Sequence, residues 1–326
     1  MPLTPTSDKI DRLARSFELV AELRAAAHSK RGLLSKLVRL LAGFIEYQFL
    51  PYYFGGVPRW RLWLRRWFSG RRTLPDFVVI GPIKSGSSDL TLHLLAHPNI
   101  VAPLAKEIFS PEPEDWRPYY PTEREMQRAN RRGTVRCGFL GPFLNCIFWL
   151  RLLDNFHRVR PDAKVIITLR DPVERAYSHW KWEVLFGGKA AATIPHFRTF
   201  TNYVALALEL FPHTTMDTYL DEVPFLQSGI YHKAVETWIS RFGKANVLVV
   251  DIDKYFAGRQ EVLQRVQSFL ELPLTDLPEY RGKANENPLK LAPPDEASRK
   301  LLASFYRPYN EKLYDLLGRD FGWYAG

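Results

Sequence analysis

The passage that most restricts the fold runs from Phe77-Val78-Val79-Ile80 into Gly81-Pro82-Ile83-Lys84-Ser85-Gly86-Ser87-Ser88-Asp89-Leu90. Four consecutive apolar residues, three of them β-branched, read as a strand buried on both faces. The Gly/Ser turn that follows opens a helix reaching to about Ala96. The same switch recurs at Lys164 to Leu169 before a helix, and at Val247 to Asp251 before another from about Arg259 to Leu270. Strands alternating with helices predict an α/β fold, a P-loop-type parallel sheet flanked by helices. The stretch from Gly187 to Phe225 has weak periodicity and reads as a long excursion over the sheet edge, where acceptor-binding loops tend to lie.

A strand that delivers a glycine-rich turn into a helix N-terminus makes an anion site, because backbone N–H groups and the positive end of the helix dipole converge there. Gly81 and Gly86 allow close wrapping, Ser85 lies between them, and Ser87 and Ser88 add hydroxyls in the first helical turn. The spacing of the two glycines matches the nucleotide-binding pattern G-x-x-x-x-G-K-[ST]. The position after Gly86, however, is Ser87, and the lysine sits inside the loop as Lys84. A P-loop nucleotide kinase would need a lysine at position 87, so that alternative loses its central cation.

The strand Val165 to Leu169 ends in Arg170-Asp171-Pro172-Val173-Glu174-Arg175-Ala176-Tyr177-Ser178. Asp171 is suited to an N-cap and Pro172 to the first helical position. Arg170 then lies at the C-terminal tip of a parallel strand, where open α/β sheets bind ligands. Ser178 falls about two helical turns further on.

The first loop resembles the 5'-phosphosulfate loop of sulfotransferases, G-x-x-K-x-G-[TS]-[TS]-x-L, and the second string resembles their signature R-[DN]-P-x-E-R-x-x-S. Residues 75–326 are similar to carbohydrate-type sulfotransferase domains, in the style of the heparan sulfate 3-O enzymes. The resemblance implies that the donor is PAPS (3'-phosphoadenosine 5'-phosphosulfate) and the product PAP (3'-phosphoadenosine 5'-phosphate). It implies that Arg170 and Ser178 bind the 3'-phosphate, and that Arg281 and Lys283 sit on a basic loop over the donor phosphates. It also points to Glu107, after Lys106, as the base that takes the acceptor proton. Lys84 is suited to stabilise the oxygen that leaves sulfur. The expected acceptor is a hydroxyl of a carbohydrate or glycan, with a small-molecule or lipid hydroxyl as the alternative.

Two departures from the family pattern bear on those roles. The family's K-E-x-x-F-F is here followed by Phe109-Ser110-Pro111, which leaves the register of the base open. Its K-[ST]-P is replaced by Gly138-Phe139-Leu140-Gly141-Pro142, removing a lysine that would support an anionic glycan. His179 is the rival base, but on a helix it points about 100° away from Ser178. No cluster of acidic residues and histidines has metal-ligand spacing, so no metal is expected.

Charge divides the chain. The net charge is +10, and residues 1–74 hold fourteen Lys and Arg against five Asp and Glu, so +9 of it lies there. The large remainder is close to neutral, which removes the argument for a nucleic-acid partner. Residues 1–74 read as a basic, amphipathic helical extension of the 75–326 domain. Apolar positions recur at helical spacing from Ser7 to Ala27 and from Leu33 to Leu50, and beyond Gly55-Gly56 the residues Trp60, Trp63 and Trp67 share one helical face while Arg61 and Arg65 share another. Tryptophan beside arginine suits a water–membrane interface. An anionic membrane surface contacting residues 33–72 is therefore one expectation, and packing of both stretches on the domain is the other. Leu37 to Val57 carries Arg39, Glu46 and Gln48, and an arginine costs about 2.5 kcal/mol or more at a membrane helix centre, so no span is read there. Met1 to Lys9 lacks a secretory pattern. With only Cys137 and Cys146, which read as small core residues, the expected location is cytoplasmic, peripheral on a membrane, with the Golgi lumen as alternative.

Overall fold

The computed structural model describes residues 57, 59–67, 70–105, 108, 110–130, 133–141, 144, 149–186, 198–213, 225–277 and 290–323. Its centre is a four-stranded, wholly parallel sheet in the order β2-β1-β3-β4. The strands are β1 (Phe77–Ile80), β2 (Gly138–Gly141), β3 (Lys164–Leu169) and β4 (Val247–Asp251). The described helices are α1 (Arg59–Trp67), α2 (Ser87–Ala96), α3 (Pro113–Trp116), α4 (Glu123–Asn130), α5 (Trp149–Val159), α6 (Pro172–Phe186), α7 (Phe200–Leu210), α8 (His232–Phe242), α9 (Ile252–Ala257), α10 (Arg259–Phe269) and α11 (Glu296–Leu317). The α/β class and the three predicted strands are as the sequence pattern implies.

Both faces of the sheet are covered, which is why β1 is buried throughout. On one face Val78, Ile80, Val165 and Ile167 pack with Leu153 and Phe156 of α5 and Trp238 of α8. On the other, Phe77, Val79 and Ile166 meet Leu90 and Leu94 of α2, and Leu263 and Val266 of α10. A third cluster joins α6, α7 and α11 through Trp180, Phe200, Val204 and Tyr306.

Helix α7 lies where the sequence suggested only an excursion. Its start is fixed by Thr199, whose Oγ1 accepts from the Asn202 N–H, and it buries Phe200, Tyr203 and Val204 on one side. That is a helical repeat too short to stand out beside the Thr and Pro residues around it. Residues 187–197 and 214–224 of the same stretch lie outside the described residues, as do residues 1–56 with their two N-terminal helical stretches, and Cys146. Cys137 is a buried free thiol.

Chain order places the functional end. The chain passes from β1 to β2 on one side and from β3 to β4 on the other. The direction of winding therefore reverses between β1 and β3, and a crevice opens beyond their C-terminal ends. The loop Gly81–Gly86 leaves β1 there, and Arg170 follows β3.

Candidate active site

The loop after β1 is held by a polar bridge to the neighbouring strand. Ser85 Oγ and Thr168 Oγ1 are 2.8 Å apart and buried, and Thr168 Oγ1 also reaches the Ile80 carbonyl at 3.3 Å. The Ser85 N–H closes the turn on the Pro82 carbonyl. Ser85, a candidate donor contact on the sequence, thus spends its hydroxyl in shaping the loop. A Cβ on residue 81 would collide with both the Ser85 and Thr168 hydroxyls, so only glycine lets strand and loop cross there.

Gly86 is the N-cap of α2 in the left-handed region, at φ 73. A Cβ there would strike Ile252 at the start of α9, so α9 closes over the loop. Lys84 also has a left-handed backbone, φ 70, which is costly for a residue with a side chain. Ser87 is buried and Ser88 half-buried in the first turn of α2, where N–H groups and dipole face the crevice.

Arg170 joins the two motifs. Its Nη1 donates to the Lys84 carbonyl at 3.4 Å, and its Nε lies 3.7 Å from Asp253 Oδ1 on α9. The Nε–H is buried and lacks a hydrogen-bond acceptor among the described residues. Its own carbonyl accepts from the Tyr231 hydroxyl at 3.0 Å, which fixes the strand tip. The arginine therefore arrives at the Gly81–Gly86 loop with a donor to spare. Ser178 sits half-buried on α6, two turns past Asp171.

Asp171 caps α6, its Oδ1 accepting from the Val173 N–H at 2.8 Å, while its own N–H donates to Asp253 Oδ2 at 3.2 Å. Burial pushes the Asp171 carboxyl up to about 6, against the hydrogen bond from Val173. Burial also raises Asp253. The cation of Arg170 thus faces the Asp253 carboxyl, whose charged form burial disfavours and Arg170 partly restores.

His179 points into the protein. The buried Arg175 donates from Nη1 to His179 Nδ1 at 3.1 Å and from its other nitrogen to the Phe225 carbonyl. An acceptor Nδ1 leaves the proton of the neutral ring on Nε2, which faces Glu183 Oε1 at 3.5 Å. Burial pushes the imidazole down to about 4. A neutral ring locked between Arg175 and Glu183 is a structural histidine.

The sequence-derived base Glu107, its neighbour Lys106, and Arg281 and Lys283 lie outside the described residues. Of the eight other candidates, the fold gathers Gly81, Lys84, Ser85, Gly86, Ser87 and Ser88 into one loop and joins Arg170 to it; Ser178 stands on the adjoining helix. Sequence reasoning missed Thr168 and Asp253. Thr168 was detectable as the one hydroxyl within an otherwise apolar strand tip. Asp253 was detectable as the second acid of Asp251-Ile252-Asp253 beyond β4. Among the described residues no group of three His, Cys, Asp or Glu side chains could hold a metal ion.

Residues 150–290 match the family model described as the sulfotransferase domain. Over those residues the chain is similar to sulfotransferase domains. Its relatives are of the carbohydrate type. Human carbohydrate sulfotransferase 15 is 25% identical over 321 residues, covering 77% of this chain and 55% of that protein. Mouse heparan sulfate glucosamine 3-O-sulfotransferase 3B1 is 28% identical over 280 residues, covering 78% and 66%. The chain therefore spans between about half and two thirds of the length of these relatives. Among solved structures, the sulfotransferase from Alicyclobacillus acidocaldarius shares the fold, with a TM-score of 0.55 at 21% identity over 78% of this chain and 100% of that one. The matched segment, residues 150–290, begins within α5 and contains Arg170 and Ser178.

Proposed function

We propose that the protein transfers a sulfuryl group from PAPS to a hydroxyl of a carbohydrate or glycan acceptor. The observation that carries this reading is the contact of Arg170 with the Lys84 carbonyl. It puts a cation with an unused buried donor beside a glycine-wrapped anion loop, at the reversal point of a parallel sheet. A donor bearing both a 5'-phosphosulfate and a 3'-phosphate fits two such anion sites side by side. ATP, which has no 3'-phosphate, fits only one.

In the proposed reaction the acceptor oxygen attacks sulfur, the bond from sulfur to the bridging 5'-phosphate oxygen breaks, and PAP leaves. Glu107 takes the proton of the acceptor hydroxyl. Lys84 neutralises the charge that builds on the bridging oxygen. The N–H groups of the loop and of α2 hold the phosphosulfate, with Ser87 and Ser88 adding hydroxyls. Arg170 and Ser178 hold the 3'-phosphate, and Arg281 and Lys283 cover the donor. No step needs a metal ion, because the loop, Lys84 and the helix dipole supply the positive charge. The relatives named above support the glycan acceptor. The buried free Cys137 suits a reducing, cytoplasmic compartment, and the basic N-terminal segment suits a peripheral position on a membrane. Incubating the protein with labelled PAPS and a panel of glycans, lipids and phenols tests the reading. Label transferred to a glycan supports it, label on lipids or phenols only would move the acceptor class, and no transfer to any acceptor would overturn it.

A further inference from the structure

The chain enters β1 from a cavity of about 360 Å³ lined by Arg65, Arg66, Arg71, Arg72 and Arg117, with Glu114 the one acid among its lining residues. It leaves β1 into the donor loop, so this cavity and the candidate active site lie before and after the same strand. Helix α1 forms one wall and is fastened to the body. Arg65 donates from Nε to the Pro118 carbonyl at 2.6 Å and from Nη2 to the Tyr120 carbonyl at 3.0 Å. Arg72 also donates to the Tyr120 carbonyl, and to the Arg65 carbonyl at 3.2 Å. Arg66 pairs with Asp115 at 3.1 Å.

Two consequences follow from that fastening. First, two guanidinium groups converge on one carbonyl. Burial, and then Arg65, disfavour the charged form of Arg72, and Glu125 partly offsets them. An anion in the cavity would add to the counter-charge that Glu125 supplies. Second, α1 is held with its apolar face outward. Trp60, Trp63 and Trp67 are 64%, 55% and 70% exposed, and Leu64 lies between them at 40%. The spacing of these four places them in one row along the helix. Large apolar side chains grouped on a surface mark an interaction site.

We propose that this face seats the protein on an anionic membrane: the phosphate of an anionic phospholipid enters the arginine-lined cavity, and Trp60, Trp63 and Trp67 lie at headgroup depth. Charge complementarity favours a lipid surface, since +9 of the net +10 is carried by residues 1–74, which include α1 and four of the five lining arginines. Shape favours it too. The indoles stand on the convex side of a helix, suited to a planar interface, whereas a sugar chain is held in a groove. Arg65 serves as an anchor of the helix and Arg66 is paired with Asp115, which leaves Arg71, 3.5 Å from Glu123, and Arg117 as exposed cations at the mouth for an anion.

The inference rests on the membrane reading given above and adds to it a defined headgroup pocket. The test is sedimentation of the full chain with phosphatidylcholine vesicles, with and without phosphatidic acid, and with inorganic phosphate as soluble competitor. Phosphatidic acid is expected to raise binding, salt to lower it, and millimolar inorganic phosphate to leave most of it in place. Arg71→Ala with Arg117→Ala is expected to lower binding to the anionic vesicles about thirtyfold, and Trp60→Ala with Trp67→Ala to lower binding to both vesicle types. Unchanged PAP binding by these variants would show that they fold. If the full chain binds anionic vesicles and neither pair of changes weakens it, the pocket is wrong while the membrane reading stands. If the full chain ignores all vesicles, both fail. Loss of sulfated-glycan binding in the arginine variant, with vesicle binding intact, would make the face a glycan site and overturn the proposal.

Discussion

Replacing Arg170 by alanine separates the proposed donor from other adenine nucleotides. In the free protein this guanidinium is bonded to the Lys84 carbonyl and paired with Asp253 at 3.7 Å. A hydrogen bond to a charged group contributes about 1.5–3 kcal/mol. The phosphate must first displace Asp253, whose side chain is 43% exposed and 3.7 Å away; a partly exposed pair at that distance is worth about 1 kcal/mol. The expected loss for PAP therefore lies at the lower end, about 1.5–2 kcal/mol, or roughly 10- to 30-fold in Kd. Calorimetry with PAP and with adenosine 5'-phosphate, which has no 3'-phosphate, is the assay. The variant should lose most of the preference for PAP and bind adenosine 5'-phosphate almost as the parent does. Equal weakening of both nucleotides would mean that Arg170 acts only by shaping the Lys84 loop. Unchanged PAP binding would refute the assignment outright.

Glu107→Gln should lower turnover about a hundredfold or more while leaving PAP affinity intact, measured by labelled sulfate transfer and calorimetry; an active Glu107→Gln beside a dead His179→Ala would transfer the role of base. Gly86→Ala must both adopt φ 73 and push into Ile252. It should cost about 2 kcal/mol or more in denaturant unfolding, and a loss below about 0.5 kcal/mol would show the loop to be free to rearrange. His179 is held near 4, below its unfolded value of about 6.5. Its contribution is therefore complete above pH 6.5 and is lost as pH falls towards 4, by up to about 3 kcal/mol. Asp171, raised to about 6, works the other way, its neutral form favouring the fold at low pH and losing that advantage as pH rises from about 4 to 6. Urea unfolding between pH 4 and 7 should accordingly show a shallow dependence for the parent and a fall towards higher pH for His179→Gln. A variant with the parent's profile would contradict the shifted imidazole.

The sheet was legible because three of its strands are short, mostly apolar and soon followed by helix starts. Phe77–Ile80, Lys164–Leu169 and Val247–Asp251 appear within those bounds. The edge strand Gly138–Gly141 was less so, since two of its four residues are glycines with little strand preference of their own. The Gly81–Gly86 turn could be read from its glycine spacing between strand and helix, for its constraints are local. What holds it could not. The Ser85–Thr168 bridge, the Arg170–Asp253 pair and the Arg175–His179–Glu183 chain join positions far apart in sequence or hidden inside a helix. Arg65 shows the same limit: its charge suggested solvent or lipid, and only the fold shows it bonded to the carbonyls of Pro118 and Tyr120.

The backbone of Lys84 has an implication for how such a protein can be improved. A residue with a side chain held at φ 70 carries a cost of about 1–2 kcal/mol, and glycine would be relieved of it. Lys84→Gly is thus a change that a screen for heat resistance would welcome and that, on the proposed role of Lys84, a screen for sulfate transfer would discard. Stability selection applied blindly to this chain would erode the chemistry proposed for position 84, because there the relaxed backbone and the ammonium group cannot be had together.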